Sequence, residues 1–323
     1  MPRVAYLTHP DCLRHDVGPW HPESPKRQQA IDAALRAAPW FGELAEIGVP
    51  HATIEQLARA HSSEHIEAVR SAVPDNGVAW LDPDTGLNPH SWNAALAASG
   101  AVVRAVDAVM AGESKRAFCN VRPPGHHAEA DRAMGFCLFN NIAVGIHHAL
   151  AVHGLQRVAL VDFDVPHGNG SEDLFRNEPR VLLCSRFRPP FYPHGGSQPH
   201  AGFIPAPLPQ GADGAVFRAA VEQHFLPALE AFRPELICVS AGFDAHRDDP
   251  LGGLNLVEAD YAWVTREICA LADRHAQGRV VSVLEGGYDL AALGRCAVAH
   301  VGALRQDRPQ GERLAAYPSR VMR

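Results

Sequence analysis

Short runs of β-branched and other apolar residues recur along the chain, and each breaks off into a loop rich in glycine, proline or charge. The runs are "VAYLTH" (4–9), residues 117–121, "VALVDFD" (158–164), "VLLCS" (181–185), "LICVSAG" (236–242) and "VVSVLEGG" (280–287). Their apolarity is continuous rather than alternating, which suits strands buried on both faces. Between them, residues 91–111, 141–153, 214–232 and 258–276 carry helical patterns. Strand alternating with helix predicts an α/β fold, a single parallel β-sheet flanked by helices. No stretch reads as a linker, so residues 1–323 are expected to form a single domain. The Pro/Gly-rich part at 189–209 reads as an ordered functional loop, and the tail after Asp307 as loosely packed.

Composition removes several function classes. The formal charge of −7 and a pI near 6.2 argue against a nucleic-acid binder, and no Lys/Arg block supplies a phosphate-tracking stripe. A basic, tail-like protein partner stays compatible with that charge. Seven scattered cysteines without a CxxC, several inside strand-like runs, are expected to be reduced core thiols of a cytoplasmic protein. The start "VAYLTHP" lacks the charged and apolar regions of a signal peptide. The Ala-rich stretch 94–111 is broken by Arg104 and Asp107, so no membrane partner is expected. A homo-oligomer is compatible with all of this.

The polar motifs fall at strand ends, where sheets of this kind gather their ligands. "RPPGHHAE" follows the strand at 117–121 and presents His126 and His127, adjacent imidazoles suited to acid/base work. A surface HisHis pair is the bland alternative. Asp162 and Asp164 end the 158–164 strand, where two carboxylates are costly to bury unless paired or bound to metal. A Mg²⁺-dependent phosphatase with a DxDx pattern is one reading, but it expects that motif on the first strand with a later lysine. A divalent metal site is the other. Asp244 ends the strand at 236–242, with His246, Asp248 and Asp249 close behind. In "EGGYDL", Gly286 and Gly287 let the backbone pass close to a site and Tyr288 offers a phenol to a developing oxyanion. Four such motifs at four strand ends point to one site.

Together, "HPESPKR" (21–27), "RPPGHHAE" (122–129), "GFCLFNN" (135–141), "DFDVPHGNG" (162–170), "PFYP" (190–193), "SAGFDAH" (240–246) and "LEGGYDL" (284–290) carry a resemblance. The chain resembles the histone deacetylase / acetylpolyamine amidohydrolase family over nearly its whole length and in the family's order. It is most similar to bacterial and class II members, because Asn169 follows "HG" where others carry aspartate. The resemblance implies the arginase–deacetylase fold and a zinc-dependent amidohydrolase that removes an acetyl or acyl group from an N-acylated amine. Its partner would be a small acylated amine or an acetyl-lysine peptide.

By the same resemblance, His126 and His127 would be the acid/base pair, with Asp162 behind His126 and Asn169 supporting His127. Tyr288 would stabilise the oxyanion. Gly135, Phe136, Phe191 and Tyr192, with Gly286 and Gly287, would line an acyl-lysine-sized tunnel. Zinc would be held by Asp164, Asp244 and a histidine at 166, and potassium would lie near Asp162, Asp164, Ser185 and the carbonyl of residue 166.

Position 166, however, is proline, which has no side-chain donor. His167 is the candidate substitute ligand, although a continuing strand would turn it the wrong way. Phe187 also stands near where relatives have a histidine. Two rivals follow. One is a silent relative that binds an acyl-amine or a protein partner, resting on Pro166. The other is an arginase-like two-manganese hydrolase, which needs further ligands such as His246 and Asp248, and against which Tyr288 argues.

Overall fold

The computed structural model describes residues 4–190, 192–193 and 200–306. The strands are β1 (Ala5–Leu7), β2 (Ala45–Glu46), β3 (Ala79–Trp80), β4 (Gly86–Leu87), β5 (Arg116–Cys119), β6 (Val158–Asp162), β7 (Val181–Phe187), β8 (Phe203–Pro207), β9 (Leu236–Ala241) and β10 (Val280–Leu284). The helices before the chain midpoint are α1 (Pro25–Ala37), α2 (Ile54–Leu57), α3 (Ser63–Ser71), α4 (Ser91–Met110) and α5 (Asn141–Val152). Those after it are α6 (Asn169–Phe175), α7 (Gly214–Ala220), α8 (Leu226–Phe232), α9 (Glu258–His275) and α10 (Leu290–Arg305).

Eight strands form one sheet in the order β2-β1-β5-β10-β9-β6-β7-β8, and every pairing in it is parallel. The expected parallel sheet is therefore present. The six apolar runs all become strands, and β2 and β8 extend the sheet at its two edges. The edge strands escaped the sequence pattern for a physical reason. β2 is two residues long, and β8 ("FIPAP") carries prolines, which an edge strand tolerates because one row of its backbone groups needs no partner. β8 also corrects the reading of 189–209 as loop throughout. The tail from 307 onward lies outside the described residues.

Burial explains the strands' lack of alternation. β5, β6, β9 and β10 are buried at every position, because separate apolar cores pack against the two faces of the sheet. α4 is long and apolar, but 72% of its apolar window is buried within the protein. Its hydrophobicity belongs to the core.

The sheet order decides where the motifs meet. β5, β10, β9 and β6 are consecutive neighbours at its centre, and all run the same way. The loops leaving their carboxyl ends are the ones that carry HisHis, "EGGY", Asp244 and the Asp162–Asp164 pair. Parallel pairing thus brings segments more than 150 residues apart to one edge of the sheet.

A buried ionic lattice fastens the N-terminal segment to this edge. Arg122, just before the HisHis loop, makes a bidentate pair with Glu23 at 2.6 Å on each arm and donates to the carbonyls of Cys12 and His15. Arg27 reaches Glu23 at 3.1 Å and donates to the carbonyls of Gly287 (2.6 Å) and Glu285. Burial alone would raise the Glu23 pKa, but the charges of Arg122 and Arg27 outweigh it and lower it from 4.5 to about 2.

Removing one partner of such a lattice leaves buried charge uncompensated. Glu23→Ala is therefore expected to destabilise the chain by about 3–5 kcal/mol, read from urea unfolding. Because the Glu23 pKa is depressed on folding, its contribution is complete above about pH 4.5 and is lost as the pH falls toward 2. A Glu23→Ala loss of stability that is the same at pH 7 and at pH 3 contradicts this.

Candidate active site

The loop after β5 is held from below by a carboxylate. Glu285 Oε2 accepts the backbone N–H of Gly125 at 2.7 Å and of His126 at 3.2 Å, and its other oxygen accepts the Ser240 hydroxyl at 3.2 Å. Burial, with Asp162 and Asp164 nearby, raises the Glu285 pKa to about 7. On this platform His126 and His127 stand with ring centroids 4.1 Å apart.

Their partners differ, and so do their charges. His126 Nδ1 meets Asp162 Oδ2 at 2.8 Å. Burial disfavours the His126 cation, but Asp162 and Asp164 outweigh it and raise the pKa to about 10. His127 Nδ1 meets Asn169 Oδ1 at 2.7 Å, and the Asn169 amide nitrogen donates to Glu129 at 2.7 Å, which fixes the amide oxygen toward the imidazole. His127 is buried beside the cationic His126, and both effects push its pKa well below the usual histidine value. One imidazole is thus an acid and its neighbour a base with a bare Nε2.

The walls close tightly over these rings. Gly135 has φ +57°, and a Cβ there would lie 2.5 Å from the His127 ring, so only glycine fits. Phe136 follows with φ +68° and packs edge-on to Tyr288 at 6.1 Å. Tyr192 packs edge-on to His127 at 4.9 Å. Phe191 lies outside the described residues. Arg27 sits 4.9 Å over the Tyr288 ring, and the Tyr288 backbone N–H donates to Asp249 at 2.7 Å. Burial and the negative charges of Asp164, Asp244 and Asp249 keep the Tyr288 phenol protonated, hence a donor. The structure brings together His126, His127, Asp162, Asn169, Gly135, Phe136, Tyr192, Gly286, Gly287 and Tyr288 as expected.

At the floor, Asp164 and Asp244 face each other. Asp164 Oδ2 accepts from Gly286 N at 2.7 Å and Asp244 Oδ1 from Val165 N at 3.0 Å. A Cβ on Gly286 would stand 2.6 Å from Asp164 and 2.8 Å from Asp244, so the second glycine motif serves this pair. Burial raises the pKa of both, with the charge of Asp162 adding to it at Asp164 and those of Asp164 and Asp249 adding to it at Asp244.

His167 is the correction. Its Nδ1 meets the Ser185 hydroxyl at 3.0 Å and its Nε2 meets Glu172 at 2.6 Å, so neither ring nitrogen is left for a metal. Its ring packs on Phe187 and Phe203 at 5.0 and 5.3 Å. The chain turns out of β6 through Pro166 and sends residue 167 toward α6 and β7. Among the described residues, no third His, Cys, Asp or Glu closes a ligand group with Asp164 and Asp244. A catalytic zinc site takes three protein ligands plus water. These residues supply two carboxylates, and they do not fit such a centre. Of the residues expected near potassium, Asp162 and Ser185 stand opposite each other on β6 and β7, contacting His126 and His167 respectively.

The two-manganese rival gains no ligands. Among the described residues His246 and Asp248 form no ligand group with Asp164 and Asp244, and Asp248 pairs with Arg295 at 3.1 Å. The phosphatase reading loses its nucleophile, because Asp162 is occupied by His126 and by the Asp164 amide. Sequence reasoning missed Glu285, Arg27 and Glu172. Glu285 had a signal, a carboxylate at the end of a buried strand within "LEGGYDL". The pairing of Glu172 with His167 had none.

Comparison with known proteins places the arrangement. The model of the histone deacetylase domain matches residues 21–304. The chain is 36% identical to the histone deacetylase-like amidohydrolase of Pseudomonas aeruginosa, over 94% of this chain and 86% of that one. It is 33% identical to a probable deacetylase of Archaeoglobus fulgidus, over 89% of this chain and 82% of that one. The crystal structure of the HDA15 HD domain superposes with a TM-score of 0.88 at 34% identity, covering 94% of this chain and 89% of that one. The fold is accordingly the arginase–deacetylase fold. By its motifs, its sheet order and these relatives, the chain belongs to the histone deacetylase family.

Proposed function

We propose that this chain hydrolyses the amide of a linear N-acylated amine, such as an acetyl-lysine side chain or an acetylated polyamine, to a carboxylic acid and a free amine. The observation that carries this is the adjacent imidazole pair, one ring on the Asp162 carboxylate and the other on the Asn169 amide oxygen. Tyr192 against His127 and Phe136 against Tyr288 support an aromatic-lined approach for an unbranched acyl-amine arm.

The chemistry follows from the residues. His127, neutral, takes a proton from water as the oxygen attacks the carbonyl carbon. The Tyr288 phenol donates to the oxyanion of the tetrahedral intermediate. An imidazolium then gives its proton to the departing nitrogen as the C–N bond breaks. Amide and water are consumed, and acid and amine are released. Asp162 keeps His126 cationic beside the developing negative charge. The buried cysteine thiols support a cytoplasmic setting. The charge balance supports neither a nucleic-acid nor a membrane role, and a homo-oligomer stays compatible with the composition.

Pro166 favours a second reading, a pocket that binds an acylated amine without turning it over. Acetate release from an acetylated diamine and from an acetyl-lysine peptide, with excess divalent metal supplied, separates the two. The hydrolase reading expects turnover that falls by about 10²–10⁴-fold in His127→Ala. No acetate from the wild-type chain with any metal leaves the binder.

Asn169→Asp is expected to raise the His127 pKa, because a carboxylate stabilises the imidazolium that an amide does not. In a ¹⁵N NMR titration the His127 ring nitrogens then titrate at higher pH than in the wild type. The acidic limb of the rate profile moves up with them, since the base must be deprotonated to act. If the His127 titration does not move, Asn169 does not set the charge of that imidazole.

A further inference from the structure

On β7, the strand beside β6, the protein holds a buried cation. Arg186, on β7, is fully buried. One arm of its guanidinium donates to the Phe163 carbonyl, between the two aspartates of the strand end, and the group lies 5.6 Å over the Phe217 ring. Its Nε and Nη1 have no hydrogen-bond partner. Its charge bears on Asp244. A guanidinium cannot shed its proton inside a protein, so it is tolerated there only while negative charge stays close.

We infer that this chain does not retain zinc, and that the buried guanidinium of Arg186, seated on the carbonyl of the residue before Asp164, adds to the cost of placing a divalent ion there. The inference rests on the family reading of the pocket and goes beyond it. Three features act together. Position 166 offers no donor, His167 is held by Ser185 and Glu172, and a buried guanidinium donates to the carbonyl between Asp162 and Asp164. Loss of a group that merely orients a metal ligand costs about 10–100-fold in affinity. Loss of the ligand itself, with a cation added, costs more than that.

Zinc per chain tests this, measured by elemental analysis on the full chain after equilibration with a slight excess of Zn²⁺ and removal of free metal by gel filtration. The wild type is expected to carry less than about a tenth of an equivalent, as is Arg186→Val alone. Pro166→His is expected to gain part of an equivalent, and Pro166→His with Arg186→Val about one, a combination that mutation of the ligand alone does not reach. About one zinc on the wild-type chain overturns the inference. A double variant that retains no more than Pro166→His overturns the part assigned to Arg186. Circular dichroism and thermal midpoints check that the variants fold. Should they not, titration of the wild type against a chromophoric chelator decides, with zinc held 100-fold or more weakly than by the chelator expected and competitive binding overturning. Acetate release with metal in excess is read separately. A zinc-retaining wild type sinks this inference and spares hydrolysis, whereas a zinc-free chain silent at every metal concentration does the reverse.

Discussion

The site depends on a short chain of buried charges running from Arg122 through Glu23 and Arg27 to the backbone of Glu285 and Gly287. Arg122 precedes the HisHis loop, and Glu285 and Gly287 precede Tyr288. The lattice therefore ties the acid/base pair and the phenol to one rigid body, with the N-terminal segment as the clamp. Guanidinium groups suit this because they stay charged and offer several donors in a fixed plane. Glu285 completes the arrangement from the other side by holding the amides of Gly125 and His126. None of these groups need touch a substrate. They hold the groups that would.

Electrostatic division follows from that rigidity. Two imidazoles 4.1 Å apart cannot both be cations at modest cost. The fold assigns the charge to His126 by giving it a carboxylate and denies it to His127 by giving it an amide. An amide locked by Glu129 cannot flip to present its nitrogen. A difference of one atom type between Asp162 and Asn169 thus sets which ring can give a proton and which can take one.

The floor departs from the pattern its walls lead one to expect. Asp164 and Asp244 each accept a backbone N–H, and a side chain at 286 would collide with both. Proline at 166 offers no donor, and His167 beside it lies in a pocket of its own with Ser185, Glu172, Phe187 and Phe203. Phe187 thereby gains an explanation, as the apolar surface against which His167 packs. Arg186, on the same strand, supplies positive charge from within the protein.

The amino-acid sequence by itself determined the six inner strands, the parallel sheet and the membership of the acid/base pair, the phenol and the two carboxylates. Those features are local. A continuous apolar run must be buried on both faces, and a polar cluster at its end must emerge at the sheet's edge. Tertiary structure decided what depends on neighbours distant in sequence. It made β2 and β8 strands because an edge accepts short or proline-bearing segments that carry no pattern of their own. It gave Glu285 a role because the amides it holds lie 160 and 159 residues away. And it settled His167, which is held by partners on α6 and β7 that no spacing in the sequence announces.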